Sequence, residues 1–174
     1  PASTPTAGAS GEAARERGKM GSQIDMGTEG TAAGSVPGTA PTLAGDWLLV
    51  MPQVRACNEA CLERLDALNR VRIALDRDIE RVRLVVLQPR ALTDPVIEPA
   101  GDILNLSAPA SVVEGLAMHD GEPIAAQVVD YRGYQVMRYP VPLDAPGLLD
   151  DLEKLLRLAK EEAERRALEE ATTE

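Results

Sequence analysis

The sequence predicts an α/β fold built on one central mixed β-sheet with helices on both faces. Three observations carry this. Short apolar runs, Trp47-Leu48-Leu49-Val50-Met51 and Leu84-Val85-Val86-Leu87, have the length and residue types of strands covered on both sides. Between them lies a stretch with helical periodicity. A glycine-centred reversal, Tyr131-Arg132-Gly133, then joins two more strand-like runs ahead of a strongly amphipathic helix.

Residues 1–44 are rich in Gly, Ala, Ser, Thr and Pro and poor in large apolar side chains, so they read as a disordered arm or linker. The first strand is expected over 47–51. In the following helix, Cys61, Leu65, Leu68, Arg72 and Leu75 fall at helical spacing. Leu62, Val71 and Ile73 are expected to widen that apolar face, with Arg64, Asp66, Arg70 and Asp76 at polar positions. Residues 81–88 form the next strand, which Pro89 stops. Four prolines and a glycine mark 89–109 as mostly loop. A short helix follows over 110–118, then strands over 124–130 and 134–139. Leu148, Leu149, Leu152, Leu155, Leu156 and Ala159 define a last helix beginning near Pro146. Its charged extension, 160–174, is expected to fray into solvent, with ion pairs Glu161–Arg165 and Glu162–Arg166. Strand, helix, strand makes a parallel βαβ unit, and the hairpin adds an antiparallel pair. The organisation is thus an arm over 1–44, a domain over 45–160 and a charged tail over 161–174.

With 174 residues and 44% apolar composition the chain can bury one core, built without Phe from Leu, Val, Ile and Ala. A formal net charge of −10 argues against sequence-independent binding of nucleic acid. The apolar runs are strand-sized, so no segment is expected to span a bilayer. The first residues lack the layout of a signal peptide. No glycine-rich phosphate loop, Ser/His/Asp set or paired-carboxylate motif stands out.

The chemistry-bearing feature is Cys57-Asn58-Glu59-Ala60-Cys61, which contains both cysteines of the chain and opens the first helix. A thiol at a helix N-terminus meets unpaired amide N–H groups and the positive end of the helix dipole, which favour the thiolate. Two such thiols can exchange disulfides or hold a soft ion such as Cu(I). Cα atoms one helical turn apart, roughly 6 Å, also lie within disulfide reach. The alternative is that both cysteines are small apolar packing residues. The single histidine, His119, excludes a Cys2His2 zinc site within one chain.

The element order with a Cys-x-x-x-Cys at the start of the first helix resembles the thioredoxin-like fold, and within it the Sco (SenC) proteins of cytochrome c oxidase assembly. The stretch from Val129 through Tyr131-Arg132-Gly133 to Pro140 is similar to their hairpin, and Gly147-Leu148-Leu149-Asp150-Asp151-Leu152 to their closing helix. The resemblance covers about residues 46–158. It implies a copper-handling or thiol–disulfide factor with Cys57 as the exposed thiol, Cys61 as the resolving thiol, and both as copper ligands. A respiratory oxidase subunit or another assembly factor is the implied partner. The implied location is the periplasm, with an anchor outside this chain. Two positions depart from the pattern. Asn58 stands where these proteins usually have proline. Counted back from Gly133, the position of their copper-binding histidine falls on Glu122, so His119 enters as a third ligand only if the loop from His119 to Glu122 folds back. Pro123 is the candidate for the cis-proline that thioredoxins set against their cysteines. The competing readings are a degenerate thioredoxin-fold scaffold without metal or redox activity, and a general thiol oxidoreductase.

Overall fold

The computed structural model describes residues 43–93 and 103–173. Among them, β1 (Trp47–Pro52), α1 (Glu59–Ala74), a 3-10 turn (Asp76–Arg81), β2 (Val82–Pro89), β3 (Ile103–Ala108), α2 (Ala110–Ala117), β4 (Met118–His119), β5 (Glu122–Val129), β6 (Gln135–Pro140) and α3 (Ala145–Thr173) follow in order. They build one mixed sheet in the order β3-β2-β1-β5-β4, with β6 also paired to β5. The β1–β2 and β2–β3 pairs are parallel, while β5 runs antiparallel to β1 and to β6.

Strand periodicity sorts the apolar runs onto two faces. Trp47, Leu49 and Met51 of β1 join Val82, Leu84 and Val86 of β2 under α1 and α3, which supply Cys61, Leu65, Leu68 and Val71, and Leu148, Leu152 and Leu156. Leu48, Val50, Val85 and Leu87 face the other way and pack on Val113 of α2. A strand buried on both faces has no polar alternation, which is why these runs are continuous in sequence. Arg72, 5% exposed on the apolar face of α1, donates its Nε–H to the Val82 carbonyl at 2.7 Å and so ties the helix to the start of β2.

The structure corrects four expectations. Residues 103–108 are a strand, not loop: Leu104, Leu106 and Ala108 pack on the α2 side at strand spacing, and the surrounding prolines obscured that alternation. Leu62 and Ile73 do not widen the apolar face of α1; they are 51% and 56% exposed, because the sheet is met by a narrower stripe. The charged extension does not fray. It stays helical through Thr173, as Ala, Glu, Arg and Leu favour. Arg166 pairs with Glu162 at 2.9 Å, but Arg165 pairs with Glu162 and Glu169 rather than Glu161. The arm read over 1–44 falls almost wholly outside the described residues. Among the described residues no helix is long and apolar enough to cross a membrane.

Candidate functional site: the cysteine turn after β1

The turn begins where β1 leaves the sheet. The Gln53 N–H donates to the Leu87 carbonyl at 2.8 Å, holding the exit on β2. Asn58 is the N-cap of α1: its backbone is extended and its Oδ1 accepts from the Cys61 N–H at 3.0 Å. Asparagine is among the strongest N-cap residues because this bond satisfies an otherwise unpaired helix donor. The cap is the physical role of the residue that replaces the expected proline. It also occupies one of the first-turn amides that would otherwise be free for a thiolate.

Capped in this way, α1 turns Cys61 inward, 2% exposed among the core side chains, and leaves Cys57 partly exposed at the rim. The two are joined as a disulfide with Cα atoms 5.3 Å apart. The pair is therefore asymmetric: Cys57 is partly exposed at the edge of the core and Cys61 is shielded within it.

Arg64, expected at a polar position of α1, is instead half-buried behind this turn. Its Nη2 donates to Gln53 Oε1 at 2.8 Å, and Gln53 Nε2 donates to the Arg55 carbonyl at 2.8 Å. Burial pushes the guanidinium pKa down. Gln53 is itself buried, at 8% exposure. Neither residue carries a motif, so sequence offers only the helical spacing of Arg64 from Cys61 as a signal.

His119 takes a different position from the one the copper-site resemblance asks for. It sits on β4, opposite Glu122 in a hairpin closed by Asp120 and Gly121, with φ of +49° and +82°. Two positive-φ residues are the signature of the tight type I′ hairpin that Asp-Gly favours. Because β5 runs antiparallel to β1, with Val50 opposite Gln127, this hairpin lies toward the sheet end where β1 exits. The hairpin holds His119 outward, 48% exposed, with Nε2 3.3 Å from Asp120 Oδ2 and 3.5 Å from Arg138 Nη1. Among the described residues no group of three or more His, Cys, Asp or Glu side chains is placed to hold a metal ion, so Cys57, Cys61 and His119 are not brought together as one site. Glu122 is likewise an exposed hairpin residue. Pro123 is trans; the cis peptide among the described residues is Val141–Pro142, and Val141 N–H donates to the Pro123 carbonyl at 3.0 Å.

Arg132 lies over the Tyr131 and Tyr134 rings at 5.4 and 5.8 Å while pairing with the buried Asp130, which locks the β5–β6 turn. Tyr139 is buried and donates to Asp151 Oδ2 at 2.9 Å, latching β6 to α3.

A fold comparison places the chain beside Sco structures. The copper-bound ScoI of Arabidopsis thaliana is 16% identical and aligns at a TM-score of 0.50 over 67% of this chain and 87% of its own. ScoI of Bradyrhizobium japonicum, also copper-bound, is 16% identical, with a TM-score of 0.43 over 64% and 86%. A SCO1/SenC family lipoprotein from Bacillus anthracis is 10% identical, with a TM-score of 0.48 over 66% and 83%. No curated protein matches the sequence. The architecture is a thioredoxin-like fold. Residues 47–159 match the family described as "Transmembrane-like, thioredoxin-like, C-terminal domain", well over half of the sequence, and the chain belongs to that family.

Proposed function

We propose that this domain is a Sco-like thiol–disulfide factor acting outside the cytoplasm in the assembly of a respiratory oxidase. The observation that carries the reading is the Cys57–Cys61 disulfide at a helix N-terminus, joining a partly exposed cysteine to a buried one. A partner thiolate attacks Cys57 Sγ, the Cys57–Cys61 bond breaks, and Cys61 leaves as a thiolate, taking the bonding electron pair. A second partner thiolate then attacks its own sulfur in the mixed disulfide and releases Cys57. The partner ends as a disulfide and this chain as a dithiol, two electrons richer. The partner is a dithiol on an oxidase subunit or another assembly factor. A disulfide also fits an oxidising compartment such as the periplasm. Tethering through a segment outside this chain agrees with the transmembrane-like family description.

Copper, in this reading, is cargo. The donor set suits Cu(I), a soft ion satisfied by two thiolates, once the disulfide is reduced. It does not suit a three-ligand site through His119. Titrating reduced protein with Cu(I) against a competing chelator, beside the Cys57→Ser/Cys61→Ser variant, tests the cargo. Trapping a mixed disulfide on Cys57 in Cys61→Ser with a disulfide-bonded peptide tests the exchange in reverse: the Cys57 thiolate breaks the peptide disulfide, one peptide sulfur leaves as a thiolate, and no Cys61 thiol remains to resolve the adduct. Binding no stronger than in the double variant removes copper from the proposal. Absence of a trapped adduct as well reduces the domain to a scaffold.

A further inference from the structure

We propose that Arg64 is a positioning residue for the cysteine pair: through Gln53 it ties α1 to the segment carrying Cys57 and so sets how readily the two thiols close into a disulfide. The inference rests on the thiol reading above and names what governs that equilibrium. The tether is continuous in hydrogen bonds. Arg64, one helical turn beyond Cys61, donates to Gln53 Oε1; Gln53 Nε2 donates to the carbonyl of Arg55, two residues before Cys57; and the Gln53 N–H is fixed on β2 through Leu87. Together with the Asn58 cap on Cys61, it holds both arms of the disulfide on one rigid frame.

The arrangement is costly by packing alone. The Arg64 Nε is buried without a hydrogen-bond partner, and among the described residues no carboxylate pairs with the guanidinium. Half-burying an uncompensated charge is unfavourable, and an apolar side chain would fill the same space without that cost. What the guanidinium adds is the hold on Gln53. In the reduced protein the sulfurs are no longer bonded, so the tether limits how far Cys57 strays from Cys61. Releasing one residue's backbone is worth roughly a factor of ten in an equilibrium.

The test equilibrates the full chain with reduced and oxidised glutathione at one fixed pH, reading the disulfide fraction by alkylation and mass. Arg64→Met is expected to lower the equilibrium constant for disulfide closure about tenfold, which is about 30 mV for this two-electron couple. Gln53→Met, which removes that contact and the bond to the Arg55 carbonyl as well, is expected to give at least the same shift. The double variant should add little to Gln53→Met alone, since Arg64 acts on the pair only through Gln53. A merely structural Arg64 predicts a different pattern: the oxidised and reduced forms lose equal thermal stability and the equilibrium constant stays at the wild-type value. That outcome in either folded variant overturns the proposal while leaving the thiol reading intact. A wild-type pair that never equilibrates with glutathione overturns both.

Discussion

Reducing the Cys57–Cys61 bond should lower the stability of the domain by a small, calculable amount. The sequence separation is 4, so the bond closes a loop of about five residues. Loop-closure entropy for such a ring is about −7 cal/mol/K, or roughly 2 kcal/mol at 25 °C, against nearly 5 for a bond spanning a hundred residues. Over the matched span 47–159, unfolding entropy at about 2.1 cal/mol/K per residue comes to roughly 0.24 kcal/mol/K. The expected drop in Tm is therefore about 8 °C. Trp47, the one tryptophan and 5% exposed in the core, reports unfolding by fluorescence in parallel melts with and without reductant. The Cys57→Ser variant, which leaves the buried Cys61 thiol in place, should melt with the reduced wild type under oxidising conditions. Coincident oxidised and reduced melts would refute the reasoning, since the bond would then constrain nothing in the unfolded chain. A drop of more than about 20 °C would refute it from the other side, showing a bond that supports packing well beyond loop closure. A pair whose opening costs the fold little is also one that can open in service.

Three further outcomes are expected. Asn58→Ala removes the cap on Cys61 N–H and should cost about 1 kcal/mol in denaturant unfolding, with α1 otherwise intact. Leu68→Ala empties a fully buried position between α1 and the sheet and should cost about 2–5 kcal/mol, read from the urea midpoint at unchanged slope. Burial, and then the hydrogen bond to Asp151, raise the Tyr139 pKa above its ordinary value, so its neutral form is favoured in the folded state. The resulting stability is fully present below pH 10 and is lost as pH rises from there toward the raised folded value. Tyr139→Phe should flatten that alkaline decline in a pH series of melts, and an unchanged slope would place the decline on other groups.

Much of this molecule is legible from its residues alone. The continuous apolar runs of β1 and β2 have only one comfortable home, a sheet covered on both sides, and the periodicity from Cys61 to Leu75 marks the helix between them. The placement of the cysteine pair at the start of that helix follows from the same local pattern. Local pattern failed where partners decide. β3 is a strand because Ile103–Ala108 pairs with β2, a long-range fact that proline-rich surroundings mask. His119 is fixed on an Asp-Gly hairpin opposite Glu122 and is not grouped with the cysteines as a metal site among the described residues; the dipeptide was visible, but its place in the fold depends on the pairing of β4 with β5. Arg64 looks like any charged residue on an exposed helix face, and only the packing of α1 against the exit of β1 buries it and gives it Gln53 to hold. Local pattern alone places the two thiols together at the start of one helix, with Cys57 just before the cap and Cys61 in the first turn. Tertiary structure decided which is exposed, which is shielded and what frame holds them, because burial and hydrogen-bond partners come from elements distant along the chain.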